Sequence, residues 1–118
     1  MSQKIAYGIL AIFLFLTMSV RAQEASVTDE IVVKATDAVM FQITANMKLT
    51  QDQINATRPI IADNIVKVRN LQLSLENGTI DGKAMYTQKQ QLINDENQEL
   101  SHIFTSDQMR VWLNIKNE

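Results

Sequence analysis

Leu49-Thr50-Gln51-Asp52-Gln53 and Phe104-Thr105-Ser106-Asp107-Gln108 are one pattern written twice: an apolar residue, Thr, any residue, Asp and Gln. A Thr just ahead of a helix accepts a hydrogen bond from the amide three residues on. The Gln at that third position reaches back to the Thr amide, and this reciprocal capping box starts a helix. The neighbours agree, because Leu49 with Ile54, and Phe104 with Met109, occupy the two positions of a hydrophobic staple. Asp52 and Asp107 fall in the first turns, where the positive end of the helix dipole favours a carboxylate by up to about 1 kcal/mol at exposed sites. Two helices therefore open at these boxes.

The composition points to an all-α fold. The chain has a single Pro and three Gly in 118 residues, and no β-branched alternation runs for more than a few positions. Thr28 ahead of Asp29-Glu30 opens a first helix to about Met47. The second runs from Gln51 to about Asn77, ended by Gly78 and bent or interrupted near Arg58 by Pro59. Asp81 caps a third helix from Gly82 to about Ile103, and the second box opens a fourth, to about Lys116. The expected fold is thus about four helices around a long, bent helical hairpin.

Residues 1–22 read as an export signal. Lys4 is followed by a nearly unbroken apolar run from Ile5 to Met18, and Val20-Arg21-Ala22 presents an acceptable cleavage site before Gln23. About 14 apolar residues are too few for a membrane span, which needs roughly 20. Residues 23–118 then form one small domain. Without Lys4 and Arg21 it holds nine Lys and Arg against thirteen Asp and Glu, a net charge of −4 with no basic run. That balance argues against nucleic acid and against anionic membrane surfaces as partners. With no Cys in the chain, stability must come from helix packing or from a second copy.

Helical projection assigns the faces. In the second helix Ile54, Ile60, Ile61, Ile65, Val68, Leu71 and Leu75 form a core stripe, while Ala62, Val66 and Leu73 share another side. That second side is either a wider buried face or a surface for a partner. Met85, Tyr86, Leu92, Ile93, Leu100 and Ile103 make the stripe of the third helix, into which Lys89 and Glu96 also project. Either these two snorkel at the edge of a narrow core, or the face is a groove of mixed polarity. In the first helix Val32, Val39, Met40, Ile43 and Met47 share a face, and Phe41 lands on the polar side, where it invites a partner. In the last helix Met109, Trp112 and Leu113 are expected to dock. The candidate client- or partner-binding residues are accordingly Phe41, Val66, Leu73, Lys89 and Glu96.

No enzymatic constellation emerges. His102 is the sole His, there is no Cys, and no glycine-rich phosphate loop occurs. Asp95, Glu96 and Glu99 fit a solvated helical face. A lone His102 with Glu99 one turn earlier falls short of a metal site, and no cofactor is expected. His102 reads as a surface or helix-end residue.

The paired boxes resemble the LTxxQ signature of the Spy/CpxP family of periplasmic chaperones and envelope-stress proteins, over about Met47 to Trp112. The residues that carry the resemblance are Leu49, Thr50 and Gln53, and Phe104, Thr105 and Gln108. It implies an antiparallel homodimer forming a thin, curved cradle, and ATP-independent holding of unfolded or misfolded clients in the periplasm. The alternative it implies is an adaptor that binds the sensor domain of an envelope-stress or metal-responsive two-component system. This chain is shorter than the best-known chaperones, net acidic and poor in basic residues, which puts charge-steered capture of acidic clients in doubt.

Overall fold

A computed structural model describes residues 29–117, so the export signal expected over residues 1–22 lies outside the described residues. The described chain is all-α: α1 (Asp29–Asn46), α2 (Gln51–Glu76), α3 (Gly82–Ser101) and α4 (Ser106–Asn117), with no strand among the described residues. α2 packs against both α1 and α3, and α4 folds back on α3. No helix among the described residues is long and apolar enough to cross a membrane.

Each boundary has a local cause. Asp81 caps α3, its carboxylate accepting the Ala84 amide at 2.8 Å. α2 ends at Asn77 with Gly78 at φ +77°, and the Gly78 and Thr79 amides donate to the Leu75 and Ser74 carbonyls at 3.1 and 2.8 Å. This is the left-handed glycine stop that satisfies the last carbonyls of a helix. Of the bend or interruption expected near Arg58-Pro59, the interruption does not occur, and α2 is continuous from Gln51 to Glu76. Pro59 and Asn55 both lie on the exposed side. The carbonyl that Pro59 leaves without a donor is therefore on the wetted side of the helix, where water can take the place of the missing amide.

Both capping boxes form. The Thr50 amide donates to Gln53 Oε1 at 2.9 Å while Thr50 Oγ1 accepts the Gln53 amide at 3.1 Å. Thr105 and Gln108 repeat this at 2.8 and 3.2 Å. The boxes are also joined to each other. Gln53 Nε2 donates to Gln108 Oε1 at 2.8 Å and to the Ile103 carbonyl at 3.0 Å. Gln108 Nε2 donates to Gln53 Oε1 at 3.2 Å and to the Lys48 carbonyl at 2.8 Å. Lys48 and Ile103 stand two residues before their respective Thr, so the arrangement has local two-fold symmetry. Each side-chain amide uses both N–H donors and accepts twice at its oxygen, which is its full capacity.

The core gathers around this clasp. Ala35, Val39, Met40, Ile43 and Met47 of α1 and its exit, Ile61 and Ile65 of α2, Leu100 of α3, Phe104, and Trp112 and Ile115 of α4 form one buried cluster. Both staples contribute, with Phe104 inside the cluster and Leu49, Ile54 and Met109 packed against it. The sequence stripes hold with two exceptions. Tyr86 is 67% exposed, because it sits at the margin of the α3 arc. Leu113 is also exposed, and Ile115, on the other flank of Trp112, takes the core position instead.

The boundaries and the clasp between them generate three predictions. Gly78→Ala adds a Cβ that meets nothing within 4 Å, so its cost is backbone strain alone, about 1–2 kcal/mol in chemical denaturation. Gln53→Glu and Gln108→Glu keep a residue well suited to a capping box but replace two donors by acceptors facing a carbonyl and a carboxamide oxygen. Each should lower stability by about 2–4 kcal/mol. A double-mutant cycle of Gln53→Ala with Gln108→Ala should show coupling of about 0.5–3 kcal/mol, whereas additive losses would mean that the boxes act separately.

Candidate functional site

The candidate binding residues come from three helices, and the structure treats them differently. Phe41, on the outer side of α1, is 74% exposed. α1 turns Met40 and Ile43 into the core, so its neighbour Phe41 cannot also face inward. Along the same helix Val33 is exposed, and Asp37 pairs with Arg58 of α2. Ala38 and Ala45, about one turn to either side of Phe41, are exposed and small, so the ring stands clear of cover.

Val66 and Leu73 lie seven residues apart on α2 and are both half-buried. Leu73 belongs to a stretch of the hairpin that the core does not reach, whereas Val66 sits between the buried Ile65 and Val68. Beyond Arg69 in α2 and before Glu96 in α3, no residue is fully buried, and Leu71, Leu73, Leu75, Met85, Leu92 and Ile93 are all half-buried. Leu71 and Leu92 floor an open cleft of ≈ 380 Å³ between the two helices, rimmed by Lys67, Gln88 and Gln91. A second cleft of ≈ 400 Å³ lies at the α3–α4 corner, between Phe104, Met109 and Leu113. None of the five candidate residues lines either cleft.

Glu96 corrects the expectation of a solvated acidic face. It is buried, with Glu96 Oε1 3.0 Å from Lys116 Nζ of α4. Lys116 Nζ also lies 5.2 Å from the centre of the Trp112 ring. Trp112 is itself buried, and its Nε1 donates to Asn97 Oδ1 at 2.8 Å. Burial pushes the Glu96 carboxyl above its usual value, against the opposing pull of Lys116, with Glu99 adding to the rise. Lys89, half-buried two turns earlier on α3, is lowered by burial and then by the Lys116 charge. The pair Lys89 and Glu96 therefore belongs to a charged seam between α3 and α4, and it does not join Phe41, Val66 and Leu73 in one groove.

Arg69 is a buried side chain that the sequence did not single out. Burial lowers its guanidinium, while Glu76 acts the other way. Its position next to Val68 in the core stripe was the available signal. His102 is exposed and ends α3, as expected for a helix-end histidine. Asp95 and Glu99 are exposed, and no group of three or more His, Asp or Glu among the described residues is placed to hold a metal ion.

The surface thus divides into an outer α1 face carrying Phe41, an incompletely covered hairpin carrying Val66 and Leu73, and a sequestered charged seam. The first two can bind by apolar contact, and the third holds α4 in place. No family model, no curated protein and no solved structure matches the chain at a significant level.

Proposed function

We propose that the mature chain is an ATP-independent holder of unfolded or misfolded proteins in the periplasm, acting as a homodimer once residues 1–22 have been removed on export. The observation that carries this reading is the hairpin beyond the core, where Leu71, Leu73, Leu75, Met85, Leu92 and Ile93 remain half-buried. Half-covered apolar surface of this kind takes up apolar segments of a non-native chain without chemistry or nucleotide. Phe41 adds a fully presented aromatic on another helix. The paired boxes, through their resemblance to the Spy/CpxP signature, support the same class. A second copy would cover part of this surface and leave the remainder for clients.

A specific observation favours a second reading, the adaptor for a sensor domain. Glu96 is occupied by Lys116, so the face of mixed polarity that would suit many clients is not on offer. The exposed Phe41 is a single aromatic anchor of the sort one defined partner reads.

Light scattering from a chemically unfolded test protein, without ATP, separates the two. Suppression near stoichiometric ratio is the expected result, weakened by Phe41→Ala and by Leu73→Ala in variants whose helix content is unchanged. A folded protein that suppresses nothing would exclude general holding and leave the adaptor. Export is checked by the mass of the secreted form, which should begin at Gln23.

A further inference from the structure

The cleft between α2 and α3 is lined by one face of each helix. Lys67, Leu71 and Ser74 recur at intervals of three and four along α2, and Gln88 and Leu92 do the same along α3. Its floor is apolar, while Asn70, Gln88 and Gln91 supply carboxamides, which both donate and accept hydrogen bonds. From Lys67 to Ser74 the cleft follows seven residues of helix, about 10 Å at the helical rise. That length matches about three residues of extended chain.

Its charge is one-sided. At one end Lys67 pairs with Asp63 at 2.8 Å, and on the opposite rim Gln91 Nε2 donates to Asp95 Oδ1 at 3.0 Å. Glu99 follows Asp95 one turn later on α3, and Asp63, Glu99 and Asp95 together hold the Lys67 ammonium above its usual range. Three carboxylates are thus gathered where the cleft carries one ammonium. Glu76 and Asp81 add two more exposed carboxylates to the hairpin, and Lys83 is the other exposed lysine between residues 63 and 99. Arg69 is buried, and Lys89 belongs to the α3–α4 seam.

We infer that this cleft holds extended segments of non-native protein in which an apolar residue stands beside a Lys or Arg. The apolar side chain rests on Leu71 and Leu92, the main chain meets the carboxamides of Asn70 and Gln88, and the cation reaches Asp95 and Glu99. This rests on the proposed holding of unfolded proteins and names the segments held. Charge decides between occupants. A second copy of this chain would bring its own excess of carboxylates to the same place, and an acidic segment would be repelled in the same way.

Two labelled, unstructured peptides of equal length test this, each a Gly-Ser chain carrying two Leu, flanked by two Lys in one and by two Glu in the other. Binding to the full mature protein is followed by fluorescence anisotropy. At low ionic strength the Lys peptide should bind about fivefold or more tightly than the Glu peptide, and the preference should shrink as salt is added. Asp95→Asn combined with Glu99→Gln should bring the two within about twofold. Asp52→Asn combined with Asp107→Asn changes the net charge equally at the other end of the molecule and should keep the preference. A third peptide with Ser in place of Leu beside the two Lys should bind weakly, because the floor is apolar. The inference is overturned if the Lys and Glu peptides bind alike, if the Glu peptide binds more tightly, if the Asp95 and Glu99 variant keeps the full preference, or if the Ser peptide binds as well as its Leu counterpart. Light scattering from an unfolded test protein, run in parallel, separates this from the broader reading. Suppression without charge preference keeps the holding function and removes the cleft's role, whereas preference without suppression keeps the cleft and removes general holding.

Discussion

The structure depends on a pair of side-chain amides. Gln53 and Gln108 each complete a cap on their own helix and then exchange hydrogen bonds with one another and with the backbone entering the opposite box. The effect is to hold the α1–α2 and α3–α4 turns together, although the first box precedes the long hairpin and the second follows it. Once these turns are joined, α1 and α4 must lie at the same end of the hairpin, and the buried cluster forms between them. A carboxylate cannot replace either amide, because it offers no donor to the facing carbonyl, and Asn is one methylene short of the same reach. Local two-fold symmetry asks for the same residues at corresponding positions on both sides, which gives the repeated sequence a physical cause.

The caps were legible and the clasp was not, for a reason visible in the residues themselves. A capping box assigns work to the oxygen of its Gln and leaves both N–H donors unassigned. Two such amides, each with two idle donors, were present in the sequence, but their separation concealed that they could serve one another. The helix boundaries were legible because each has a local cause: Thr50, Asp81, Thr105 and Gly78 act on their immediate neighbours. Pro59 does not interrupt α2. Its rule concerns the isolated helix, whereas a helix already held by α1 and α3 on its inner faces tolerates one missing bond on its wetted side.

Glu96 shows the limit of projecting a single helix. Its place in an apolar stripe left open whether it lined a groove or the edge of a core, and the answer came from Lys116, on a different element. A charge on a buried stripe is a request for a partner, and the sequence does not say where the partner will come from. The exposure of Phe41 was legible because it follows from its own helix: α1 has one inward side, and Met40 and Ile43 occupy it. Val66 and Leu73 fell between these cases, half-covered by neighbours that reach them only in part.

These observations describe a molecule with two unequal ends. At one end the clasp, the core cluster and the α3–α4 seam are concentrated, and nearly all the fully buried residues lie there. At the other, α2 and α3 continue as a bare pair whose apolar side chains never become fully covered. Local stability follows buried contact, so opening should cost least at the hairpin turn and most near Gln53 and Gln108. Under the proposed holding function, that gradient is what apolar capture would require. Surface that binds non-native chains must remain partly wetted, and a domain of this size keeps such surface without unfolding only if another part is fastened independently of it. The amide clasp fastens the well-packed end by hydrogen bonds between neutral groups, and so leaves the open end free to present apolar residues that a fully packed bundle would have buried.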